Sequence, residues 1–187
     1  MPDYSEQLER CDVKSPKLWY PMVEGLGRFF TRVEKSDYLT IQTIMERFGH
    51  QPENSPYFQI CRQEDDSVSV EISGNSQLSP ELTESEYQEM SSLGWELPRK
   101  GKDEDYGDLP NFVKTFGVKP ATVFIADEVA YALVNVFGMK PTDLLEMESE
   151  WDAAWMGTYK CLERLEQDPV TFDCRQFRLK GEFQVCN

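Results

Sequence analysis

Large apolar side chains recur at three- and four-residue steps from Trp19 to Val33, through Met22, Val23, Leu26, Phe29 and Phe30, which aligns them on one side of a helix. Gly25 and Gly27 weaken that helix, and a strand over Arg28 to Val33 is the alternative. Leu39, Ile41 and Thr43 then alternate, whereas Ile41, Ile44, Met45 and Phe48 fit a helix ended by Gly49, so the type of this element stays open. Past the turn-rich stretch from Pro52 to Pro56, Phe58 and Ile60 alternate with Tyr57, Gln59 and Cys61. An acidic turn, Glu64-Asp65-Asp66, leads to Val68, Val70 and Ile72, which alternate with Ser69 and Glu71. Two adjacent segments of period two make a hairpin, dry on one face and polar on the other.

Gly, Asn, Ser and Pro between Gly74 and Leu82 predict a loop, and Thr83 with Glu86 three residues on has capping-box spacing. A helix from Glu84 to Leu93 aligns Tyr87, Met90 and Leu93 and stops at Gly94. Trp95, Leu97 and Pro98 form its hydrophobic exit, and the charged interval from Arg99 to Gly107 reads as a surface loop. After Leu109-Pro110-Asn111-Phe112, Pro120 opens a helix with the stripe Ala126, Val129, Ala130, Leu133, Val134 and Phe137, ended by Gly138. Thr142 is placed to cap a further helix to about Leu165, with Leu145, Trp151, Trp155, Tyr159 and Leu162 mostly on one side. The organisation this predicts is an N-terminal arm over 1–18, one α+β domain over 19–165, and an extension over 166–187 whose alternation suits an added edge strand.

Composition narrows the function classes. In the 187 residues, 34 acidic and 19 basic side chains leave a net charge of -15, which repels nucleic-acid phosphates and anionic lipids and favours a partner with a basic face. No stretch approaches the roughly 20 apolar residues of a membrane span. The five cysteines include no CxxC pair, and the chain opens without an export signal, so a cytoplasmic protein with reduced thiols is expected.

The supply of catalytic groups is thin. His50 is the sole histidine and follows Gly49 in a turn, and Cys161, Cys174 and Cys186 lack the close pairs of a zinc site. The acidic runs lack the pattern of a calcium loop, Gly25 and Gly27 lack a third glycine, and no GxSxG elbow occurs. No catalytic, metal or cofactor-binding residue is assigned. The surface left over suits a polypeptide, with Tyr57, Gln59, Cys61, Ser69 and Glu71 on the polar sheet face as candidate partner contacts, joined by Trp151 and Trp155. Two alternatives remain: a structural or regulatory subunit of an oligomer packed through the Trp151 and Trp155 stripe, and a hydrolase with an unrecognised carboxylate site.

Tyr57-Phe58-Gln59-Ile60, Val70-Glu71-Ile72-Ser73-Gly74-Asn75, Leu93-Gly94-Trp95-Glu96-Leu97-Pro98 and Asn111-Phe112 resemble the TY-Chap domains, actinobacterial peptide-binding proteins grouped with the type III secretion chaperones. The likeness runs from about Trp19 to Leu145. It implies a twisted antiparallel sheet packed on helices in a two-layer architecture, often dimeric, that holds peptides or partner proteins. It also marks Leu93, Gly94, Trp95, Pro98, Asn111 and Phe112 as a structural motif, with Trp95 supporting the fold more than touching a client.

Overall fold

The computed structural model describes residues 14–31, 33–35, 37–99, 109–148 and 177–180. A short 3-10 turn over Lys17–Trp19 leads into helix α1, Tyr20–Phe30, with a proline in its first turn where a missing N–H costs nothing. The helical period prevails over the alternative strand because it buries Met22, Val23, Leu26, Phe29 and Phe30 together. Strand β1, Asp37–Ile44, buries Leu39, Ile41 and Thr43 as its alternation predicts. Beyond β1 the helical period survives only as a 3-10 turn, Glu46–Phe48, closed by Gly49 at φ 71°, in the left-handed region that glycine tolerates.

β2 (Tyr57–Arg62) and β3 (Val68–Ile72) form the expected hairpin, in antiparallel register with Gln59 opposite Glu71 and Cys61 opposite Ser69. Its acidic turn is closed by Gln63 N–H donating to the Ser67 carbonyl at 2.9 Å and by Ser67 N–H donating to the Asp65 carboxylate at 2.9 Å. Helix α2, Glu84–Ser92, begins at the capping box: the Thr83 hydroxyl accepts from Glu86 N–H, and the Glu86 carboxylate accepts from Thr83 N–H at 2.7 Å. It ends with Gly94 N–H donating to Ser91 and Trp95 N–H to Met90, the paired bonds of a Schellman motif, with Gly94 at φ 80°.

Two elements differ from expectation. Phe112–Phe116 is a strand, β4, where none was predicted, and it pairs antiparallel with β3. After α3, Thr122–Asn135, the segment Leu144–Glu148 is strand β5 rather than the opening of a helix capped by Thr142. The helical spacing of Leu145 and Glu148 is overridden by pairing with β1, Leu145 opposite Thr43 and Leu144 opposite Ile44. The remainder of that expected helix, with Trp151 and Trp155, lies outside the described residues. A short strand β6, Phe177–Lys180, runs parallel to β5, giving the order β4-β3-β2-β1-β5-β6.

Helices and sheet share one core. Leu39, Ile41, Phe58, Ile60, Val68, Val70, Ile72, Phe112 and Leu145 are buried in the same cluster as the apolar stripes of α1 and α3. Rings lock the layers edge to face, Phe30 on Phe58 and Phe112 on Phe137, each at 6.4 Å between centroids. The result is the α+β architecture expected, five antiparallel strands packed on helices, with β6 added in parallel at one edge.

Candidate functional site: the outer face of the sheet

Because side chains alternate across a strand, burying Phe58, Ile60, Val70 and Ile72 turns Tyr57, Gln59, Cys61, Ser69 and Glu71 to the opposite face. All five are half-buried. The register places Tyr38 opposite Cys61, Thr40 opposite Gln59 and Gln42 opposite Tyr57 on one flank, and Val113 opposite Glu71 and Thr115 opposite Ser69 on the other. Tyr38 is an aromatic ring left 51% exposed. The five sheet candidates therefore sit together, in a face that extends over four strands.

One cluster on this face is set by a residue read from the sequence only as part of a motif. The Asn111 amide nitrogen donates to the Tyr57 hydroxyl at 3.0 Å and to Glu71 Oε2 at 3.2 Å. Its oxygen accepts from Gly74 N–H at 3.3 Å, so the buried amide is oriented by the backbone and in turn orients two outward side chains. This close approach depends on Gly74: a Cβ there would lie 2.1 Å from the Pro110 carbonyl oxygen and 2.9 Å from Pro98 Cγ. Only glycine fits.

The other motif residues meet at the same junction. Trp95 is buried in the core, and among the described residues its indole N–H has no acceptor. The Leu93 carbonyl accepts from Lys114 Nζ at 2.6 Å, and Phe112 packs against Tyr87 at 4.9 Å between centroids. Lys114 lies opposite Val70 on the helix-facing side of β4, where a charge is costly unless paired. Its partner is Glu128 of α3, at 2.7 Å, and the ammonium also stands 5.8 Å from the ring centres of Trp95 and Phe116. Burial works to raise the Glu128 pKa, but the hydrogen bonds and charges of Lys114 and Lys14 outweigh it and hold the carboxyl below its ordinary value.

Lys14 and Ser15 belong to the stretch expected as an arm. Their backbone N–H groups donate to the two Asp127 carboxylate oxygens at 2.7 and 3.0 Å, while Lys14 Nζ lies 2.5 Å from Glu128 Oε1. Ser15 is buried there.

Among the described residues no group of three or more His, Cys, Asp and Glu side chains converges to hold a metal ion, and no helix is long and apolar enough to cross a membrane. Residues 12–151 match the family T3SS (YopN, CesT) and YbjN peptide-binding chaperone 3. The chain belongs to that family. It is a family of binding domains of the chaperone type, not an enzyme family, and it places this domain among peptide or protein binders. No curated protein and no solved structure matches the chain.

The resemblance noted in the sequence thus holds for the family. Asn111 as the organiser of Tyr57 and Glu71 was not legible, since it depends on the approach of Pro110 to Gly74. The signal for β4 was available in Phe112, Lys114 and Phe116, had the lysine been allowed on a buried face.

Proposed function

We propose that this chaperone-family domain holds an extended polypeptide across the outer face of β1 to β4, without catalysing a reaction, and that it does so in the cytoplasm. The reading is carried by the contrast between the two faces: one is sealed under α1 and α3, while the other presents Tyr38, Tyr57, Gln59, Ser69 and Glu71, half-buried or exposed, in a continuous register. Tyrosines and short polar side chains on a rigid sheet offer flat contact area and hydrogen bonds at small entropic cost. The strands are fixed by the core beneath them, so a guest meets a preformed surface.

A permanently unfolded probe tests this. Reduced, carboxymethylated lactalbumin carrying a fluorescent label is titrated with the protein and followed by anisotropy. Saturable binding is expected, weakened at least about fivefold by Gln59→Lys and Ser69→Arg together, because two long cations obstruct the middle of the face. Binding indifferent to that pair, in a variant that melts like the parent, removes the outer face as the site.

A further inference from the structure

Among the outward-facing positions of β1 to β4 named above, Glu71 is the one carboxylate. Among the described residues its partner is the neutral amide of Asn111, and no lysine or arginine pairs with it. That amide takes Oε2 and simultaneously holds the Tyr57 hydroxyl, so one nitrogen ties both side chains together on the half-buried outer face, and Oε1 has no hydrogen bond among the described residues. A half-buried carboxylate with no cation of its own is a ready acceptor for one supplied from outside. The net charge of -15 steers such a cation toward the surface.

We propose that Glu71, positioned by Asn111 and flanked by Tyr57, receives a lysine or arginine side chain of the extended polypeptide bound on this face. The assignment rests on the function proposed above and names the chemistry of its partner. The cation makes a charge-assisted hydrogen bond to Oε1, and its stem or guanidinium plane lies against the Tyr57 ring. Neighbouring guest residues, alternating in and out, meet Gln59 and Thr40 on one side and Val113 on the other. Asn111 is a positioning residue in this arrangement, acting through Glu71 and Tyr57.

The test uses the full chain and four fluorescein-labelled ten-residue peptides built from Ser, Thr and Val, identical except for a central Arg, Lys, Gln or Glu. Anisotropy titrations are run with the parent, with Glu71→Gln, and with Glu89→Gln, which removes the same charge from the exposed side of α2. The Arg and Lys peptides are expected to bind about fivefold or more tightly than the Gln peptide, with the Glu peptide weakest. Glu71→Gln is expected to abolish that preference, and Glu89→Gln to retain it. Equal affinity for all four peptides overturns the assignment and leaves polypeptide binding standing. A cation preference that survives Glu71→Gln places the recognition elsewhere on this acidic surface and overturns it too. Absence of saturable binding by every peptide and by lactalbumin overturns both this inference and the reading beneath it, whereas lactalbumin binding without any peptide binding overturns this inference alone.

Discussion

Lys114 Nζ lies 2.7 Å from Glu128 Oε2, joining the edge strand β4 to helix α3 through a charge pair on the core side of the sheet. Both side chains are largely withdrawn from water, 17% and 11% exposed, so each depends on the other. Lys114→Ala is expected to cost about 3 kcal/mol in urea unfolding, because Glu128 loses its closer-buried cation and the Leu93 carbonyl loses its donor. Lys114→Met combined with Glu128→Leu should cost clearly less than the two single changes added together. Additive losses would mean that the pair carries no coupling.

Gly74 admits no side chain. An added Cβ would lie 2.1 Å from the Pro110 carbonyl oxygen, a backbone atom that cannot rotate away. Gly74→Ala is therefore expected to destabilise by about 2–4 kcal/mol and to disturb the Asn111 amide that Gly74 N–H orients. Thermal melts quantify the first effect, and the side-chain amide resonances of Asn111 report the second. A melt within a degree of the parent contradicts the tight approach.

Glu86 makes stability depend on acid. The Arg47 guanidinium grips it with both nitrogens, at 2.6 and 3.0 Å, and Thr83 adds further hydrogen bonds, so its pKa is held down to about 2 from an ordinary 4.5. With the folded value below the unfolded one, the contribution is complete above about pH 5 and is lost as pH falls toward 2. Glu86→Gln should be less stable than the parent by about 1 kcal/mol at pH 7. The gap should close progressively below pH 4.5, and urea midpoints at pH 7, 4 and 2.5 measure it. A gap that stays constant across those values would assign the loss to the capping box alone.

Trp95→Ala is expected to lose about 3–5 kcal/mol, since the indole is buried at the Schellman turn and Lys114 stands over its ring. A variant that melts like the parent but no longer binds the unfolded probe would make Trp95 a contact for the guest and overturn its structural role.

The elements that were legible in the sequence are those whose cause is local. The Thr83 and Glu86 capping box, the Val68 to Ile72 alternation and the Ala126 to Phe137 stripe each carry their own instruction within a few residues. Strand β4 was hidden because Lys114 interrupts Phe112 and Phe116, and the group that makes a lysine tolerable there, Glu128, belongs to a different element. Strand β5 was misread because Leu145 and Glu148 fit a helical step as well as they fit a strand, and only pairing to β1 decides between them. On the candidate site, alternation alone put Tyr57, Gln59, Cys61, Ser69 and Glu71 on one side. The link from Asn111 to Tyr57 and Glu71 required knowing which backbones touch, and that is a property of the assembled fold.

Glu96 exchanges both backbone hydrogen bonds with Val113, at 2.7 and 3.1 Å, and Arg99 does the same with Leu109. The outer rail of β4 is thus already occupied at Val113 by the chain's own preceding segment. A second molecule offering its own strand there would have to displace that rung first, so the lateral stacking that turns exposed sheet borders into growing fibrils is interrupted on this flank.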